Sequence, residues 1–159
     1  MSYQDLKTKT ATFLSQKKIA VIGVSTTNKM EPANGNFKAL KERGYEVFPV
    51  NPKADLFEGE RCYHTIGELG PEISAALIFT HPAVTGDVAR ECFEKGIKNI
   101  WVHRSFGEGS HSNTATAFFK DKEGVNFIDG ACPMMFINKA DWFHKTLKTV
   151  MKWTGKLPN

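Results

Sequence analysis

Three times along this chain a glycine stands between a helical pattern and a β-rich run: Gly44-Tyr45, Gly96-Ile97 and Gly124-Val125. Glycine accepts the left-handed backbone that ends a helix, so each step reads as a helix closing and a strand opening. Five runs are rich in β-branched and apolar residues, at 19–24, 45–50, 75–79, 99–103 and 125–128. They start roughly 25 residues apart, enough for a strand, a crossover helix and a return. This rhythm predicts an α/β fold: a doubly wound sheet of five mainly parallel strands with helices on both faces.

Asn36 is placed to cap a helix that turns Phe37 and Leu40 inward and ends at Gly44. Pro82 suits the first turn of a helix with Val84, Val88 and Cys92 on its buried face, closed by Gly96. Ala115, Phe118 and Phe119 mark a third, ending at Gly124. Ser2 with Asp5 opens an N-terminal helix over 3–16 carrying Leu6, Phe13 and Leu14. Asn138 with Asp141 opens one over 139–153 carrying Phe143, Leu147, Val150 and Met151. Both are expected to cover the sheet. Between residues 52 and 71, Gly59, Gly67 and Gly70 break any long helix and predict a short irregular crossover. No linker, charge block or further repeat divides the chain, so residues 1–159 are expected to form one domain.

Three widely spaced cysteines, Cys62, Cys92 and Cys132, fit neither a disulfide framework nor a Cys-x-x-Cys zinc site, and suit a reducing compartment. The polar start and the lack of an apolar run of about 18 residues predict a soluble, cytoplasmic protein without membrane contact. The net charge of +4 is scattered, which argues against nucleic acid but suits a small phosphate-bearing ligand. A second copy or another protein remains open as a partner.

In a parallel sheet of this kind ligands sit beyond the carboxyl ends of the strands. The first tail reads Gly23-Val24-Ser25-Thr26-Thr27-Asn28-Lys29: a glycine for close backbone approach, hydroxyl donors, then a cation. A dinucleotide fingerprint would carry a second glycine where Ser25 stands. The second tail, Asn51-Pro52-Lys53, has a lysine where NAD sites usually place an acid, and so favours a ribose with an extra phosphate. Coenzyme A and NADP both meet that condition, and an NADP-binding redox protein stays an alternative.

The segment 19–27, the tail Val50-Asn51-Pro52, the Cys62-Tyr63-x-x-Ile66 stretch and the Phe79-x-x-Pro82 helix start resemble the small bacterial CoA-binding proteins. These are similar to the N-terminal nucleotide domain of the succinyl-CoA synthetase α subunit. The resemblance runs from about residue 18 to about 133. It implies a Rossmann-like strand order 3-2-1-4-5 with coenzyme A, or an acyl-CoA, across the strand ends. It also implies phosphate contacts at Gly23, Ser25, Thr26 and Thr27 and adenosine-end contacts at Asn51, Pro52 and Lys53; Val24, Lys29, Thr80, His81, Pro82 and His103, on the same strand tails, are further candidate cofactor contacts. Where the family often has Trp-Leu-Gln-x-Gly this chain reads Trp101-Val102-His103-Arg104-Ser105, and where many members have Asp-Arg-Cys it reads Asp129-Gly130-Ala131-Cys132. The synthetase's second domain, with its phosphorylated histidine, has no counterpart here, so its activity is not implied.

His81, His103 and Cys132 follow the third, fourth and fifth strands and share one edge of a parallel sheet. With Arg104 they are candidates for a nucleophile and base acting on a CoA thioester or nucleotide conjugate. With His144 they could bind a metal. The competing reading makes Cys132 a small core residue and the histidines isolated hydrogen-bonding groups. No metal is expected, Cys62 with His64 being a poorer pair still, and His111 is expected to be exposed in its loop. The expectation is a non-catalytic carrier, sensor or regulatory module.

Overall fold

The computed structural model of the chain describes residues 2–104, 107 and 109–137. In chain order these form α1 (Tyr3–Leu14), β1 (Lys18–Ile22), α2 (Pro32–Glu42), β2 (Glu46–Val50), β3 (Leu56–Phe57), β4 (Glu60–Arg61) and β5 (Ala75–Ile78). Then come α3 (Pro82–Glu94), β6 (Asn99–Val102), α4 (Asn113–Phe119) and β7 (Asn126–Asp129). The helix expected over 139–153, with His144, lies outside the described residues. The five runs read as strands are strands, joined in one wholly parallel sheet.

Side chains alternate along a strand, so this sheet divides the core in two. Ile19, Val21, Val47, Leu77, Trp101 and Ile128 lie with Leu6 and Phe13 of α1 and Phe37 and Leu40 of α2. Ala20, Ile22, Val50, Ile78, Ile100 and Val102 lie with Ala89 and Cys92 of α3 and Ala115 and Phe119 of α4. Helices therefore cover both faces. Trp101 is fully buried, and its indole N–H donates to the Gly130 carbonyl at 2.7 Å. Among the described residues no helix is long and apolar enough to cross a membrane.

The expected strand order 3-2-1-4-5 is corrected: in chain order the five strands run 2-1-3-4-5, that is β2-β1-β5-β6-β7. The crossover after β2 is the reason. It holds a small hairpin, β3 with β4, turning at Glu58 and Gly59, whose φ angles of 50° and 80° suit a tight hairpin turn. Among the described residues only Tyr63 pairs outside β2, through one parallel bridge to Val50. The chain then passes to the other side of β1 and forms β5 there.

Gly44 and Gly96 close their helices as expected, at φ +83° and +98°. Each is followed by the paired bonds of a Schellman cap: Gly44 N–H to Lys41 O and Tyr45 N–H to Leu40 O at 2.9 and 3.2 Å, and Gly96 N–H to Phe93 O and Ile97 N–H to Cys92 O at 3.0 Å each. Gly124 differs, since α4 stops at Phe119 and the glycine ends the turn that follows. Asn36 is not a cap either. Glu31 is the N-cap of α2 and Pro32, whose fixed φ suits a first turn, begins the helix, leaving Asn36 buried one turn inside. On α3 the buried face is Thr85, Ala89 and Cys92; Val84 and Val88 lie one position off it, and Val84 is 48% exposed.

Candidate functional site

In the observed order the chain leaves β1 toward one side and returns on the other to β5, so a crevice opens between their carboxyl ends. Two adjoining clefts occupy this edge. The first, of about 510 Å³, lies over β2, β1 and β5 and is walled by Ile22, Val24, Asn51, Ile66, Val84 and Val88. The second, of about 360 Å³, lies over β5 and β6 and is lined by Phe79, His81, Pro82, His103 and Ser110. Glu31 and Thr80 line both, so the clefts form one run across four strand tails.

Gly23 opens the first tail at φ +100°, and its N–H donates to Val50 O at 3.0 Å. A Cβ there would meet the Phe79 carbonyl carbon and oxygen at 3.0 Å. The glycine thus serves a close approach between two strand tails, and its missing side chain faces protein instead of ligand. Asn34, buried in the first turn of α2, pins the loop: its Oδ1 accepts from Ser25 N–H at 2.9 Å and its Nδ2 donates to Ser25 O at 2.7 Å. Ser25 Oγ accepts from Asn28 N–H at 2.9 Å. With those bonds made, the amides of Val24, Thr26, Thr27 and Lys29 have no partner among the described residues. A run of N–H groups without protein partners beside a helix N-terminus suits an anion.

In the second tail Asn51 Nδ2 donates to Val24 O at 2.6 Å, while its Oδ1 accepts from Lys53 N–H at 2.8 Å. Asn51 therefore locks the two loops together. Asn51 and Pro52 line the first cleft, whereas Lys29 and Lys53 are exposed outside its lining and make no ion pair among the described residues. Cys62 is buried, which raises its thiol pKa, and His64 is exposed with Nε2 2.9 Å from Asp55. Among the described residues no three of His, Cys, Asp and Glu gather as metal ligands.

The structure brings His81 and His103 together in the second cleft and separates Cys132 from them. His81 Nδ1 accepts from Ala83 N–H at 3.2 Å, capping α3. His103 is 4% exposed and lies against the Phe79 ring at 4.6 Å between centroids. Burial lowers its pKa to about 4, so the ring is neutral. Cys132 is buried in the cluster with Phe37 and Trp101, with Asn36 Nδ2 at 4.0 Å, and lines neither cleft. Arg104 is half-buried, its Nε donating to Gly107 O at 3.2 Å. His111, expected to be exposed, is half-buried, with Nδ1 2.9 Å from Asp129 Oδ1 and Nε2 3.1 Å from Asn113 Oδ1. Its partner Asp129 sits on the last strand, too far along the chain for a local pattern to announce it.

Among the site residues that were missed are Glu31, Asn34, Val84 and Val88. Pro32 could have revealed the first two by placing the start of α2 earlier. The valines are spaced like a core face and carry no warning of their own.

The family described as CoA binding domain matches residues 17–138. The chain is similar to the alpha subunit of ADP-forming acetate–CoA ligase II of Pyrococcus furiosus, at 30% identity over 126 residues, covering 76% of this chain and 27% of that subunit. It is also similar to ADP-forming acetate–CoA ligase II of Archaeoglobus fulgidus, at 35% identity over 95 residues, covering 58% of this chain and 14% of the ligase. The chain thus matches only a minor part of either relative. Among solved structures, a hypothetical protein from Pyrococcus horikoshii OT3 superimposes with a TM-score of 0.71 at 26% identity, covering 84% of this chain and 91% of that one.

Proposed function

The chain belongs to the CoA-binding domain family, and from that premise we propose that it binds coenzyme A or an acyl-CoA across the tails of β2, β1, β5 and β6, as a carrier, sensor or regulatory module. The observation that carries the reading is the row of unpartnered amides at Val24, Thr26, Thr27 and Lys29 beside the cleft at the strand-order switch. These donors suit a pyrophosphate. Lys29 at the loop and Lys53 beyond the second tail add positive charge at the mouth, with Lys53 beside the extra ribose phosphate. The apolar wall of Ile66, Val84 and Val88 suits the flat face of adenine. The named relatives act on acetate and CoA, which supports a CoA ligand here. One of them is a ligase subunit, which supports a protein partner. Cys132 stands in the core outside both clefts, which supports binding over catalysis.

Thermal denaturation tests this directly. A ligand that binds only the folded protein, at 100 times its Kd, adds about 2.7 kcal/mol, or roughly 5 to 10 °C for a chain of this size. We expect a clear shift with CoA, a smaller one with dephospho-CoA and almost none with NAD. The gap between the first two should shrink in Lys53→Ala. A shift with NADP and none with CoA would replace the ligand, and no shift with any nucleotide would remove the proposal.

A further inference from the structure

Resting on the CoA reading above, we propose that the second cleft holds the acyl end of a short, uncharged acyl-CoA, with the His103 imidazole donating to the thioester carbonyl oxygen. The ring lines that cleft, is almost wholly buried, and makes no hydrogen bond among the described residues. No ring nitrogen is sealed inside the protein, so an N–H that has no protein partner can donate into the cleft, to an acceptor that arrives with the ligand. Its position is set from three sides. Phe79 packs against the ring, the His103 backbone N–H donates to Ile78 O at 2.9 Å, and the His103 backbone carbonyl accepts from Ser110 N–H at 2.9 Å. Because the ring stays neutral above about pH 4, it offers one donor and no charge.

That donor separates an acyl-CoA from CoA itself, since a thioester carbonyl is a good acceptor and a free thiol a weak one. The lining also selects among acyl groups. Phe79, Pro32 and Pro82 provide apolar walls, and the cleft measures about 360 Å³, room for a short chain. Glu31 is the acidic residue of the lining, steadied by Asn28 Nδ2 at 2.8 Å, and no lysine or arginine joins it among the described lining residues. A second carboxylate on the acyl group would face Glu31 without a countercharge.

Calorimetric titration of the full chain with CoA, acetyl-CoA and succinyl-CoA near neutral pH tests this. We expect acetyl-CoA to bind about three- to tenfold more tightly than CoA, with succinyl-CoA weaker than acetyl-CoA. The ratio of the CoA Kd to the acetyl-CoA Kd should fall toward one in His103→Phe. It should recover in His103→Gln, whose amide can donate. Glu31→Gln should narrow the gap between acetyl- and succinyl-CoA. Acetyl-CoA binding no tighter than CoA to the natural protein overturns the inference and leaves CoA binding standing. So does a ratio unmoved by His103→Phe, or one that His103→Gln fails to restore. Absence of CoA binding altogether overturns the underlying reading instead.

Discussion

Gly23 holds φ at +100° with the Phe79 backbone 3.0 Å from where a Cβ would sit, so alanine there meets both a strained backbone and a clash. Left-handed backbone alone costs a non-glycine residue roughly 1–2 kcal/mol, and Gly23→Ala should lose about 2 kcal/mol or more by urea denaturation. A variant as stable as the natural protein would show that the two tails are not in close contact. His103 makes the opposite kind of demand. Its folded pKa of about 4 lies below the ordinary 6.5, so the unfolded chain binds more protons between those values. Stability is therefore full above about pH 6.5 and falls as pH drops toward 4, by on the order of 3 kcal/mol. His103→Phe, which keeps an aromatic ring against Phe79, should flatten this slope in urea midpoints measured across the window. Glu31 and His81 share the cleft in both proteins, so the difference between their slopes isolates His103. Parallel slopes would contradict a buried neutral ring.

At the scale of the element, α3 presents two faces one residue apart. Thr85, Ala89 and Cys92 pack on the sheet, while Val84, Val88 and Glu91 look into the first cleft. The two faces predict separate phenotypes. Val84→Ser, at a half-exposed position, should change stability by less than about 0.5 kcal/mol and weaken CoA binding several-fold. Ala89→Leu should cost about 1–3 kcal/mol through overpacking. A binding defect in neither, or loss of stability in Val84→Ser, would mean the faces are misassigned. The same helix shows why valines spaced three or four apart are ambiguous in a sequence: the period says that a face is apolar, and a cleft lined for a ligand satisfies it as well as a core does. Glu31 and Asn34 were hidden for a different reason. A helix start was read from a capping residue, Asn36, although Pro32 had already set the first turn.

Across the whole molecule, the tails of β2, β1, β5 and β6 carry two clefts with a shared wall, an arrangement suited to one long ligand rather than two short ones. Adenosine 3′,5′-bisphosphate, the nucleotide half of CoA, should therefore compete with CoA while binding far more weakly, because joining the halves makes the second contact intramolecular. Simultaneous, non-competitive binding of the two would break this picture. The sequence by itself determined the alternation of strand and helix, the glycine ends of α2 and α3 and the capping box of α1, because each depends on residues within a few positions of one another. Tertiary structure alone decided on which side of β1 the third strand lies, which way Gly23 points, and that His103 turns into a cleft while Cys132 turns into the core. Those outcomes rest on contacts between Gly23 and Phe79, His103 and Phe79, and Asn36 and Cys132, pairs brought together only when the sheet closes. No local preference along the chain encodes such pairs, since their energy exists only after distant segments have packed.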